Sequence, residues 1–340
     1  MGSAKNSSES SFGDSFEPRV WAGIDEAGYG PLLGPLTFGF SAFADDAASG
    51  EIHWNRLHAA ISDAPREDAR RIVVADSKKV FTRNDRGRRR LETTAIAFLR
   101  AAGKPAASAA DLLASAPTGL APTSEDLIDH PWYSALPGTL PAHVEPGALE
   151  ERCGSLARAL DTAGASVAAA GAVVIPAGKL NASFAATGNK GATLWSFNSK
   201  IIAHLFESFG QKGLHLTVDR LGGRARYGRL LSGLIPFSTV HVERESRIES
   251  VYRVEAHDRR MRIRFIQKGD TLSMPVALGS CLAKYAREMV MGAFNEHFAA
   301  ACPDVKPTAG YVTDARRWLA DVEAKAPSLL AQPDSLIRTR

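Results

Sequence analysis

Gly23-Ile24-Asp25-Glu26-Ala27-Gly28-Tyr29-Gly30-Pro31-Leu32-Leu33-Gly34-Pro35 is the stretch on which the rest of the sequence turns. The residues leading into it, 19–24 (Arg-Val-Trp-Ala-Gly-Ile), read as a strand that runs into Asp25 and a turn rich in glycine and proline. A second apolar stretch, Leu36 to Phe43, follows. A strand before a glycine-rich turn is also the setting of a dinucleotide-binding loop. Here the third glycine falls one position late, Asp25-Glu26 stand at the strand end, and no good helix opens at Pro31, so that reading is set aside.

Outward from this stretch the chain alternates. Residues 85–101 have helical spacing at Leu91, Ala95, Phe98 and Leu99. A strand is expected at Ala172–Ile175 and a helix around 190–209. Residues 214–219 (Leu-His-Leu-Thr-Val-Asp) form a strand with Leu214, Leu216 and Val218 on one face. Two or three more strands are expected over 238–266, a long helix over 273–299 and a short one over 313–324. Strands alternating with helices indicate an α/β layer fold.

Three segments stand apart. Residues 1–18, rich in Ser, Gly and acids, are expected to be a disordered tail, and 326–340 a C-terminal tail. Residues 103–165 are rich in Ala, Pro, Ser and Thr and are broken by Pro117, Pro122, Pro131, Pro137, Pro141 and Pro146. They read as a peripheral, partly mobile insertion within a catalytic domain spanning 19–325, one whose removal should leave a folded protein.

The 340 residues are 45% hydrophobic and 23% charged, as in ordinary globular proteins. Net charge is only +4, but arginines cluster at 83, 86, 88, 89 and 90, at 220, 224, 226 and 229, and at 259, 260, 262 and 264. One such cluster is ordinarily a solvated face; three together suggest a polyanionic partner. Cys153, Cys281 and Cys302 are widely spaced and form no CxxC pair, which fits a reducing compartment and no zinc site. No stretch has the length and apolarity of a membrane span or the form of a secretory signal, so a cytoplasmic location and no membrane partner are expected.

Asp25 and Glu26 close one strand and Asp219 closes another, just before Gly222 and Gly223. Carboxylates at neighbouring strand ends suit hard divalent cations, which take oxygen ligands. Two such ions about 4 Å apart can activate water and stabilise a leaving oxygen. Position alone leaves open that these acids only cap turns. Glu288 follows Lys284 by four residues on the long helix, so both project from one face.

Five blocks in order resemble the ribonuclease HII family. They are the opening 23–35 stretch, Asp76-Ser77-Lys78-Lys79, Thr217-Val218-Asp219, Lys268-Gly269-Asp270 with Ala283-Lys284-Tyr285-Ala286-Arg287-Glu288, and Gly310-Tyr311-Val312-Thr313-Asp314 with Trp318-Leu319. The resemblance implies a ribonuclease H-like α/β fold with a central mixed sheet flanked by helices. It implies a catalytic and metal-binding quartet of Asp25, Glu26, Asp219 and Glu288 holding Mg2+ or Mn2+, with two ions. It implies hydrolysis of the RNA strand of RNA–DNA hybrids, or of ribonucleotides embedded in duplex DNA. Gly28, Tyr29 and Gly30 would lie at the 2′-hydroxyl, Lys78 and Lys284 at phosphates and Tyr311 against the sugar, with Ser77 also among the substrate-binding residues. Two residues depart from the ribonuclease HII pattern: Glu288 stands in place of Asp, as in the ribonuclease HIII branch, and Tyr29 in place of an Arg. With the Arg gone, Tyr29→Arg is expected to tighten duplex binding. Two other readings remain: a nucleic-acid-binding module that has lost cleavage, and a structure-specific DNA nuclease.

Overall fold

Along Val20–Ala27 (β1) the side chains of Val20, Ala22 and Ile24 enter one apolar core, while Trp21 packs against another on the opposite side. That alternation of period two fixes which face of the sheet each residue serves. The structure is a computed structural model and describes residues 17–47, 49–65, 70–220 and 222–339. The tail expected for 1–18 lies almost wholly outside the described residues.

The strands are β1, Leu36–Asp45 (β2), Ile61–Ser62 (β3), Ile72–Val73 (β4), Ala165–Ile175 (β5), Leu214–Asp219 (β6), Thr239–Glu245 (β7), Glu249–Ala256 (β8) and Arg259–Ile266 (β9). Seven form one sheet in the order β5-β2-β1-β6-β9-β8-β7, and β3 pairs with β4 separately. β1 runs parallel to β6 and antiparallel to β2, and β6 runs parallel to β9. The mixed sheet flanked by helices is therefore present. β5 begins earlier than the sequence suggests, because the alanine- and glycine-rich 165–171 stretch carries little strand propensity of its own.

Helix Met274–Ala301 covers the Trp21 side of the sheet, with helices Asp85–Ala101 and Pro146–Thr162 beyond it. Helix Lys190–Phe209 packs on the other side, where Leu214, Leu216 and Val218 point as their spacing requires. The long helix approaches β1 and β2 so closely that only glycine fits. A Cβ on Gly39 would lie 1.9 Å from the Gly279 carbonyl oxygen, and one on Gly23 would lie 2.2 Å from the Val276 nitrogen. Buried hydroxyls fasten the contact: Thr37 Oγ1 donates to the Ala283 carbonyl (2.9 Å) and Ser41 Oγ to that of Pro275 (2.9 Å).

The 103–165 segment adds no strand to the sheet before Ala165, yet it is not a dispensable lid. Leu112, Trp132, Tyr133, Leu140, Leu149 and Leu156 are all buried in the core on the long-helix side. The Trp132 ring centroid is 5.2 Å from that of Phe294 and 6.0 Å from that of Phe298. The carboxylate of Glu92 is fully buried and accepts hydrogen bonds from the N–H groups of Ala142, His143 and Val144 and from the Tyr285 hydroxyl. Prolines exclude a central strand, but the apolar residues between them still pack. The 326–340 segment is likewise no loose tail. Ile337 bridges Leu33, and the Arg338 N–H donates to the Leu32 carbonyl.

Removing 103–165 should therefore abolish cooperative folding, because Glu92 would lose three of its four hydrogen bonds and the core beside it would be exposed. Trp132→Ala should cost about 3–5 kcal/mol in denaturant unfolding. A deletion variant with native circular dichroism and an unchanged midpoint would refute this account.

Candidate metal centre

Register brings the acids together. β1 and β6 pair in parallel through Ile24 and Val218, so Asp25 and Asp219 are the next residues on adjacent strands and share a face. Oxygen atoms of Asp25, Glu26 and Asp219 all lie within 4.8 Å of one another. Two local contacts orient them: the Glu26 N–H donates to Asp25 Oδ1 (2.8 Å), and the Gly269 N–H to Asp219 Oδ1 (2.8 Å). A hydroxyl of the long helix, Ser280, bonds to Asp25 and also to Ser77 (Oγ–Oγ 3.0 Å).

The cluster lacks charge balance. Burial, followed by the charges of Glu26 and Asp219, holds the Asp25 carboxyl well above the usual range. Burial and then Asp219 push Glu26 up to about 7, and burial raises Asp219. Glu26 Oε2 is buried without a hydrogen-bond partner. Lys78 is the cation whose charge reaches Glu26, Asp219 and Asp270 and lowers all three. Oxygen-only donors, a bare buried carboxylate oxygen and mutual repulsion all fit a hard divalent cation.

Glu288 does not join this group. It is paired with Lys284 and lines a separate cleft of about 430 Å³ with Phe81, Arg83 and His143. The long helix meets Asp25 at Ser280, and eight further residues carry Glu288 about 12 Å along the axis. The acid near the cluster is Asp270, in the short helix Gly269–Leu272. Burial, Asp76 and Asp219 push Asp270 up to about 6; it shares a hydrogen bond with Asp76, and its charge raises Glu26. Its signal was present in Lys268-Gly269-Asp270, next to the end of β9.

The other sequence candidates divide. Lys78 is exposed beside the acids, whereas Ser77 is buried and its hydroxyl is committed to Ser280. Gly28 has φ +85°, and a Cβ there would meet the Pro35 carbonyl oxygen at 2.7 Å, so glycine is required. Gly30 is exposed with open space around it. Tyr29 does not offer a bare ring, because the Lys190 ammonium sits 4.2 Å from its centroid. Lys284 lies over the Phe81 ring, and Tyr311 is exposed near the Arg287 guanidinium. Sequence reasoning gave no role to Arg287 or Arg338. Arg287 is buried and donates to the carbonyls of Leu33, Pro35 and Ala309, tying the 28–35 turn to the loop before Tyr311. Arg338 donates to the Gly28 carbonyl.

Several arginines of two of the three clusters are paired within the fold. Arg262 pairs with Glu243 (2.8 Å), Arg264 with Glu249 (2.8 Å) and Arg259 with Asp258 (3.3 Å). Arg220 is buried on the carbonyls of Ser246 and Arg247, and Arg226 approaches Glu245 at 3.6 Å. Arg83, Arg86, Arg88 and Arg89 remain exposed.

A mixed α/β sheet with carboxylates at adjoining strand ends thus defines a candidate divalent-metal centre. Several solved structures are similar to the chain. One is a chain of the PCNA:RNase HII complex from Archaeoglobus fulgidus, at 16% identity and TM-score 0.44, covering 94% of this chain and 94% of that one. Ribonuclease H2 from Pyrococcus horikoshii OT3 matches at 14% identity and TM-score 0.43, over 93% of this chain and 92% of that one. RNase H3 from Aquifex aeolicus matches at 12% identity and TM-score 0.42, over 95% and 72% respectively. No family model and no curated protein matches the chain.

The raised carboxyls set a pH test. In the folded state they keep protons that the unfolded chain has already lost, so without metal stability should fall as pH rises from the ordinary values of 3.8 and 4.5 through about 6 for Asp270 and about 7 for Glu26. In chelator the thermal midpoint should therefore drop between about pH 5 and pH 8. Millimolar magnesium or manganese should raise it more at the higher pH. Equal midpoints with and without metal at the higher pH would refute the assignment of a metal centre.

Proposed function

We propose that the chain is a metal-dependent endonuclease of the type 2 ribonuclease H kind. Its substrates would be the RNA strand of RNA–DNA hybrids, or ribonucleotides embedded in duplex DNA. The observation that carries this reading is the convergence of Asp25, Glu26 and Asp219 within 4.8 Å, inside the sequence blocks that resemble that family. Asp25, Glu26, Asp219 and Asp270 would hold magnesium or manganese, with Asp270 taking the place first given to Glu288. Such ions, when bound, activate water and stabilise the leaving oxygen.

The chain's own residues bind and orient. Lys78 places an exposed ammonium beside the acids, where a substrate phosphate would approach. Ser77 acts through Ser280 on Asp25 rather than touching substrate. Gly28 gives the turn its left-handed backbone, and the open surroundings of Gly30 let main-chain groups approach a ribose 2′-hydroxyl, the group that distinguishes RNA from DNA. Tyr311 offers an exposed ring at the edge. Cys153, Cys281 and Cys302 are free, in keeping with a cytoplasmic setting. Among the described residues no helix is long and apolar enough to cross a membrane.

Three duplexes test the reading: one with a single embedded ribonucleotide, an RNA–DNA hybrid, and an all-DNA duplex. Cleavage should be confined to the first two and should require divalent metal. Asp219→Asn keeps the acceptor for the Gly269 N–H and should lower turnover by more than about a hundredfold, beyond what loss of a ligand's hydrogen-bond partner typically costs. Asp270→Asn should follow it, while Glu288→Gln should stay near the parent. Equal cutting of all-DNA would point to a DNA nuclease, and binding without cutting to a binding module.

A further inference from the structure

A cleft of about 200 Å³ opens beside the turn that follows the acid pair, walled by Tyr29, Pro31, Phe184, Lys190, Thr193 and Arg338. It lies beside the candidate metal centre, because Tyr29 in its wall follows Glu26 by three residues. Its two threonines are engaged within the fold, Thr193 with Thr187 (2.6 Å) and Thr339 with Asn181 (3.0 Å). Arg338 is largely buried and holds the Gly28 carbonyl. Lys190 is exposed, and its ammonium is seated 4.2 Å from the centroid of the Tyr29 ring.

A strand that brings one phosphate to a cluster of carboxylates brings its neighbouring phosphates too, and those need positive charge outside the cluster. Lysine meets a phosphate as a point charge. An aromatic face beneath the ammonium restricts where a long, flexible side chain places it. We propose that this cleft is the subsite for one backbone phosphate flanking the cleaved one, and that Lys190, steadied on Tyr29, is the residue that contacts it. The inference rests on the nuclease reading above. It also reverses one expectation from the sequence: Tyr29 supports a cation rather than leaving a gap for one, so Tyr29→Arg would set two cations against each other and should not tighten binding.

The test uses the full chain and an RNA–DNA hybrid, with affinity read by fluorescence anisotropy without added metal so that no strand is cut. Lys190→Gln should weaken binding about tenfold, as for loss of one charge-assisted contact. It should also reduce the slope of log affinity against log salt by about 0.9. Lys190→Arg should restore both, Tyr29→Phe should change neither, and the thermal midpoint should be the same in all three variants. If the parent binds and Lys190→Gln keeps the parent's affinity and salt slope, the subsite is overturned and the nuclease reading stands. A parent that neither binds nor cuts any duplex overturns both. A fall in affinity accompanied by a lower midpoint and no rescue by Arg would make Lys190 a structural residue and overturn the subsite.

Discussion

The approach of the long helix to the sheet is the constraint on which the rest depends. At Gly23, Gly39 and Gly279 backbone meets backbone with no room for a Cβ on Gly23 or Gly39. The gain is positional. With the helix seated this deeply, Ser280 reaches Asp25, Cys281 Sγ reaches the Ala75 carbonyl (3.3 Å) and Arg287 reaches the carbonyls that shape the 28–35 turn. The buried hydroxyls of Thr37 and Ser41 fix the helix axially, since each bonds a named carbonyl on it. An alanine at position 39 would push the helix outward and separate the sheet from the residues that orient its acids.

Against that tight frame the acids are held in electrostatic conflict. Each of Asp25, Glu26, Asp219 and Asp270 is raised by burial, and repulsion among them adds to the shift in Asp25, Glu26 and Asp270. A structural acid is treated differently in the same molecule: Glu92 is just as buried but receives three backbone N–H groups and a hydroxyl. The contrast separates a carboxylate satisfied by the fold from carboxylates that need something brought to them.

Much of this was legible in the sequence, for definite reasons. Asp25 and Asp219 stood out because each closes an apolar strand, and the ordered blocks that resemble a known family grouped them. The helix expected around 190–209 is present as Lys190–Phe209, where Asn189 caps it, its side chain accepting from the Ala192 N–H (3.0 Å). Asp270 left a signal in Lys268-Gly269-Asp270, but the linear sequence did not decide between it and Glu288. The choice depends on where along the helix the sheet is crossed, and that is set by Gly39 and Gly279 far apart in the chain. Nor does linear clustering show a partner across a sheet: Arg262 pairs with Glu243 on β7 and Arg264 with Glu249 on β8. Proline spacing in 103–165 correctly excluded a central strand, but composition could not show that Trp132 fills the space beside Phe294.

The junction of Leu33 with Ile337 and of Gly28 with Arg338 has a consequence for the order of events during synthesis. The turn beside the acids leaves the ribosome early, yet the guanidinium that holds its Gly28 carbonyl lies 310 residues further on. Until then the turn has Arg287 at most, and before the long helix emerges it has neither clamp. The sheet's central strands can pair and bury their apolar faces beforehand, while the stretch that gives the acid pair its surroundings is fastened late. A nascent chain would thus pair its first strands before it carries the finished site.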